Sequence, residues 1–199
     1  MYCHDFMTRN ELLALLSNKL GPTEINSVLA AYDMSESAYE AYTSVDGNPL
    51  FFHTTRVCRI LLAELELFDH EILIASLLHE ISKISSEVDL DIVRYNFGDY
   101  ICCLIDILEL DLHEFERKSS EFCFGGNARV KLPLDDCLII FFAEQVDYLR
   151  CLDFDIKYNP ISYIREVSEK YFPVAEKSEN KHLKYLLAEL KRERNKITG

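Results

Sequence analysis

An all-α fold is what this sequence predicts, and three observations predict it. Apolar residues recur at helical spacing along nearly the whole chain. Capping and breaking residues bracket those runs. No alternating apolar–polar stretch lasts beyond a few residues, so no strand is expected. With 199 residues, 49% of them hydrophobic, the chain can bury one sizeable core. A helical bundle is the economical way to build that core.

The helices can be read in order. Thr8 caps a run carrying Leu12, Leu13, Leu15, Leu16 and Leu20, and Gly21-Pro22 stops it. A second helix follows Thr23 with Ile25, Val28 and Leu29, and a third is expected over Ser35–Tyr42. Asp46-Gly47-Asn48-Pro49 is a turn. Three strongly periodic segments follow, about His53–Leu67, Asp69–Lys83 and Asp89–Phe97. Gly98 ends the last of these, and Asp99–Leu110 reads as a further apolar helix. Cys123–Pro133 is a loop. Asp135 opens a long apolar helix to about Leu152, and Asn159-Pro160 opens another before a lysine-rich helix closes the chain. This divides the chain into N-terminal helices over 1–34, a main body over 35–178 and a basic helix over 179–199.

Charge and cysteine usage narrow the function. The net charge of −13 disfavours non-specific binding to nucleic acid or to an anionic membrane, since both need basic surface. A phosphate-rich substrate would need a metal ion or a local basic patch to reverse the sign. The seven cysteines include no C-x-x-C pair, and several, among them the adjacent Cys102 and Cys103, sit inside apolar runs as buried thiols do. A reduced, cytoplasmic setting is expected. No signal-peptide pattern opens the chain, and the longest apolar stretches, such as Cys137–Ala143, are too short to span a bilayer. His4 is expected in a frayed terminus, and His70, His113 and His182 at the surface. The basic residues of the last helix, Lys181, Lys184, Lys191, Arg192, Arg194 and Lys196, read as a solvated face or as a docking surface for a protein partner.

Four residues stand apart. His53, the neighbours His79 and Glu80, and Glu144 each lie in an otherwise apolar helical frame: LFFHTTRVCRILL, ASLLHEISK and LIIFFAEQVDYLR. Buried charges on separate helices are costly unless paired. Imidazole and carboxylate donors together suit Mn, Fe, Zn or Mg-like ions. A polar network inside a helical core would also account for them.

The order and local frames resemble the HD superfamily of metal-dependent phosphohydrolases, in the Rel/SpoT-type alarmone hydrolase branch. That branch reads G-x-P-Y-x-x-H-P-x-x-V-A-x-I-L, where this chain has Gly47-Asn-Pro-Leu-Phe-Phe-His53-Thr-Thr-Arg-Val-Cys-Arg-Ile-Leu61. A-A-L-L-H-D corresponds to Ala75-Ser-Leu-Leu-His79-Glu80, and F-G-x-x-V-x-x-L-V-D to Phe97–Asp106. E-R-K recurs as Glu116-Arg117-Lys118. A-D-R-L-H-N-M-R corresponds to Ala143-Glu144-Gln-Val-Asp-Tyr-Leu-Arg150, and E-x-Y-A-P-L-A to Glu169–Ala175. The resemblance covers about Ala38 to Ala175 and implies an HD-domain helical bundle. It makes His53, His79, Glu80 and Glu144 metal-ligand positions for Mn²⁺ or another divalent ion. In that branch the ion polarises a phosphate and activates water, releasing the 3′-pyrophosphate of the guanosine alarmone.

Departures from the pattern matter as much. Two aspartates of the metal shell are glutamates here, Glu80 and Glu144. Lys83-Ile84 stands where the family carries an acidic pair that handles the attacking water, so Glu80 and Lys83 are the remaining candidate catalytic residues. Lys83 could instead pair with Glu80 or Glu144 and replace the ion. Tyr148 stands at a nucleotide-contacting asparagine, and the guanine-clamping basic pair falls on about Ser44-Val45. Arg117, Lys118 and Arg150 are candidate phosphate contacts or, equally, ion pairs, and Tyr171 is a candidate substrate wall or a core residue. Two expectations stand side by side. One is a divergent HD phosphohydrolase acting on a small phosphorylated molecule, a guanine nucleotide among the candidates. The other is a catalytically inactive relative serving as a binding or regulatory protein.

Overall fold

In a computed structural model of the chain, the structure describes residues 4–44, 47–84, 88–108, 134–151 and 160–198. Arg117, Lys118, His113 and the Cys123–Pro133 loop lie outside the described residues. Among the described residues the fold is helical, with no regular strand and a single isolated antiparallel bridge between Thr43 and Pro49. No described helix is long and apolar enough to cross a membrane.

Helix α1 (Arg9–Leu16) starts at Thr8 through a reciprocal cap. The Glu11 N–H donates to the Thr8 hydroxyl, and the Thr8 N–H donates to the Glu11 carboxylate at 2.7 Å. Helix α2 (Pro22–Tyr39) merges the two helices expected after Thr23 and over Ser35–Tyr42. Ser35 reads as a helix start in sequence, but its buried hydroxyl donates back to the Tyr32 carbonyl at 2.9 Å, which lets the helix run through it. Residues 4–8, ahead of α1, are held by contacts and not frayed. His4 Nδ1 contacts Asn48 Oδ1 at 2.8 Å, Met7 is fully buried, and Phe6 stacks on Phe52 with ring centroids 4.4 Å apart.

Gly47, at φ +79°, turns the chain ahead of α3 (Leu50–Arg59). The Leu50 N–H donates to the Tyr42 carbonyl at 2.9 Å, which sets where α3 begins and places His53 in its first turn. α3 widens into a π-helical turn over Ile60–Glu64, with the Leu65 N–H reaching the Ile60 carbonyl.

Helix α4 (His70–Leu78) is the centre of the bundle, touching α2, α3 and the helices defined below as α7 and α8. Asp69 caps it by accepting from the N–H groups of Glu71 and Ile72. Seven consecutive residues, Ile72 to Leu78, are buried, as a helix that is apolar on every side requires. The run expected to continue to Lys83 breaks at His79 and Glu80 and resumes as the short α5 (Ile81–Ile84). α6 (Leu90–Phe97) stops at Gly98, φ +93°, and α7 (Asp99–Leu108) follows it directly. α8 (Leu134–Cys151) packs against α3, α4 and α7. α9 (Pro160–Lys170) and α10 (Phe172–Lys177) lead to α11 (Lys181–Thr198), whose Leu183, Leu186, Leu187 and Leu190 are buried and which lies along α8.

All five described cysteines, Cys58, Cys102, Cys103, Cys137 and Cys151, are buried free thiols. On α11, Lys184, Lys191 and Lys196 meet Glu179, Glu176 and Glu193 at 2.7–2.8 Å. Exposed pairs of this kind add little stability.

Candidate metal centre

His53 comes from the first turn of α3, His79 from the end of α4 and Glu144 from the middle of α8. Their ligand atoms lie within 4.8 Å of one another. The two imidazoles meet edge to face with centroids 5.4 Å apart. Helix packing brings this about, since α3, α4 and α8 contact one another in pairs.

Each histidine is oriented by its Nδ1. His79 Nδ1 donates to the Ser76 carbonyl at 2.8 Å, a group near the C-terminal end of α4 that has lost its helical partner. That bond leaves Nε2 with its lone pair free. His79 Nε2 is buried and has no hydrogen-bond partner. A buried imidazole nitrogen facing a second histidine and a carboxylate, with nothing to bond, is the observation that fits a cation. His53 Nδ1 lies 2.7 Å from Asp147 Oδ2, which leaves its Nε2 for the same space. Two imidazole nitrogens and one carboxylate oxygen form a donor set suited to Mn, Fe or Zn-like divalent ions.

Burial lowers the His79 pKa to about 4, so this imidazole is neutral near pH 7, as a ligand must be. Burial opposes protonation of His53 as well, but the hydrogen bond and charge of Asp147, with Glu144 and Glu80, raise its pKa above the usual value. The Glu144 carboxyl is pushed up to about 7, first by burial and then by the nearby Glu80 and Asp147 charges, with His53 and Lys83 opposing. Three carboxylates thus crowd a small volume around two imidazoles, an arrangement that a divalent cation would relieve.

Glu80 stands outside this group of three. Its Oε1 is 3.8 Å from His79 Nε2 and accepts from Lys83 Nζ at 3.1 Å. The break between α4 and α5 turns Glu80 to the edge, where its side chain is 16% exposed and Lys83 is 42% exposed. Burial works against ionisation, yet the His79 and Lys83 charges keep the Glu80 pKa below the usual glutamate range.

Sequence reasoning missed two residues here. Arg56 Nε donates to Asp147 Oδ1 at 2.8 Å, and an Arg56 terminal nitrogen donates to Asp147 Oδ2 at 3.1 Å. Both side chains are almost fully buried, at 1% and 0% exposed. The available signal was spacing: Arg56 follows His53, and Asp147 follows Glu144, by three residues, hence on the same helix face.

The expected substrate contacts are differently disposed. Arg150 is bound by Glu64 on the π turn at 2.6 and 3.0 Å and by Glu189 on α11 at 2.9 Å, so it braces α8 against its neighbours. Tyr171 packs against Phe141 with centroids 4.2 Å apart, and Tyr148 is half-buried against the core. Arg117 and Lys118 lie outside the described residues.

No family model matches the chain, and no curated protein matches it by sequence. Among solved structures, one titled "A metazoan ortholog of SpoT hydrolyzes ppGpp and plays a role in starvation responses" superposes with a TM-score of 0.62. It is 21% identical, and the match covers 84% of this chain and 95% of that one. The chain shares the helical fold of that protein. At this identity the likeness speaks for the fold alone.

Proposed function

We propose that the chain is a divergent HD-type phosphohydrolase, using one divalent metal ion to hydrolyse a nucleotide or another phosphoester. The observation that carries this reading is the buried, unpartnered His79 Nε2, turned towards His53 and Glu144. His53, His79 and Glu144 would hold the ion, Mn²⁺ being the first to test. When bound, it supplies Lewis-acid polarisation of a phosphate oxygen and a lowered pKa for bound water. The remaining chemistry falls to the residues beside it. Glu80, ionised and 3.8 Å from His79 Nε2, accepts a proton from the attacking water. Lys83, released from Glu80, offsets negative charge on the phosphate. Arg117 and Lys118 remain candidates for the same task. The fold likeness to a protein that hydrolyzes ppGpp makes a guanine nucleotide carrying a pyrophosphate the first substrate to try.

A second reading, an inactive binding protein on the same scaffold, is favoured by one observation: Lys83 already neutralises Glu80, the carboxylate 3.8 Å from His79 Nε2. Metal content separates the two. In elemental analysis after Mn²⁺ reconstitution, the first reading expects about one ion per chain. It also expects a melting temperature that rises with Mn²⁺ and a His79→Ala variant that shows neither effect. A chain that takes up no ion under these conditions would leave the binding-protein reading.

A further inference from the structure

We infer that Asp147 and Arg56 are positioning residues that commit His53 to a single tautomer, with Nδ1 protonated and Nε2 presented to the ion. This rests on the reading of His53 as an ion ligand.

The Asp147 carboxylate receives three donors. Oδ1 accepts from Arg56 Nε, while Oδ2 accepts from an Arg56 terminal nitrogen and faces His53 Nδ1 at 2.7 Å. The guanidinium fork fixes the plane of the carboxylate, as bidentate pairing does. With the Arg56 fork donating to both of its oxygens, Asp147 is held as a carboxylate that only accepts. An acceptor-only group at that distance requires a proton on His53 Nδ1. The opposite tautomer would set a lone pair against an anion. The lone pair of His53 is thereby assigned to Nε2, on the side of the ring where His79 and Glu144 lie.

Helix packing alone does not explain this pair. Taking an arginine and an aspartate fully out of water costs enough that an apolar pair of similar volume would hold α3 to α8 at least as well. The two histidines are also oriented by different chemistry. His79 donates to a neutral carbonyl, and His53 faces an anion. A carboxylate behind a ligating imidazole raises its basicity and fixes its orientation.

Replacing Asp147 alone would take away the carboxylate that balances the buried Arg56 charge, so the test changes both residues. Arg56→Met with Asp147→Asn removes the charges but keeps an acceptor for His53. Arg56→Met with Asp147→Leu removes the acceptor as well. The full-length, metal-free protein is ¹⁵N-labelled at histidine, and the His53 tautomer is read by NMR at alkaline pH, where the ring is neutral. Mn²⁺ affinity is then measured by calorimetry. The Asn variant should keep Nδ1–H and bind Mn²⁺ within about threefold of the parent, while the Leu variant should show mixed tautomers and bind about 10–100-fold more weakly. A Leu variant that keeps the single tautomer overturns the inference, and so does one that keeps parental affinity. If the parent itself binds no Mn²⁺, the metal reading fails, and the tautomer comparison still decides the positioning role.

Discussion

On the α3–α8 flank of the candidate centre, His53, Arg56 and Asp147 are paired inside the core. On the α4–α5 flank, Glu80 reaches the edge and is held by a half-exposed lysine, beside a histidine nitrogen that has no partner. One flank is rigid and already satisfied, and the other is adjustable and unsatisfied. The contrast says where each kind of substitution should act. Changes on the first flank should reach the fold and, through His53, the ion, and changes on the second should reach the ion and the ligand with little effect on the fold.

The largest effect is expected on the rigid flank. Asp147→Ala removes the carboxylate that balances the buried Arg56 charge and should cost about 3–5 kcal/mol in a urea or thermal unfolding experiment. A loss of a few tenths of that would mean the two flanks are not as different as their burial implies. On the adjustable flank, Lys83→Glu should change folding little, because Lys83 itself is 42% exposed. It should raise Mn²⁺ affinity about tenfold, roughly the Coulombic effect of reversing one charge near a protein surface. Unchanged affinity would remove Lys83 as a competitor for the site.

The third effect is a pH dependence. The Glu144 carboxyl titrates near 7, so below that pH an incoming ion must displace a proton. Mn²⁺ affinity should therefore fall as pH drops through about 7, and protonation of His53, whose pKa is also raised, acts in the same direction. The metal-free fold should show the opposite trend. A carboxyl whose pKa is raised on folding favours the native state most at pH below its usual 4.5, and that contribution is lost as pH rises through about 7. Calorimetric titrations and melting curves across this range check both signs, and Glu144→Gln should make each trend shallower, leaving the part due to His53.

Some elements were legible because their determinants are local. The Thr8–Glu11 cap, the Asp69 cap and the Gly98 stop are each decided within a few residues. The long helix expected from Asp135 to about Leu152 is Leu134–Cys151. Ser35 misled because a hydroxyl can start a helix or bond back into one, and burial against the core chose the second. The break at His79 was illegible because it depends on an imidazole folding back to the Ser76 carbonyl within a packed bundle.

The sequence by itself determined the helical class and singled out His53, His79, Glu80 and Glu144 as candidate ligands, three of which the fold brings within 4.8 Å of one another, because periodicity and polar residues in apolar frames are written locally. Only the tertiary structure decided which polar groups share a partner. It gave Arg150 to Glu64 and Glu189, and His53 to Asp147. Those pairings join residues on different helices, up to 94 positions apart in the case of His53 and Asp147. They depend on side-chain geometry at helix contacts, which no local pattern encodes.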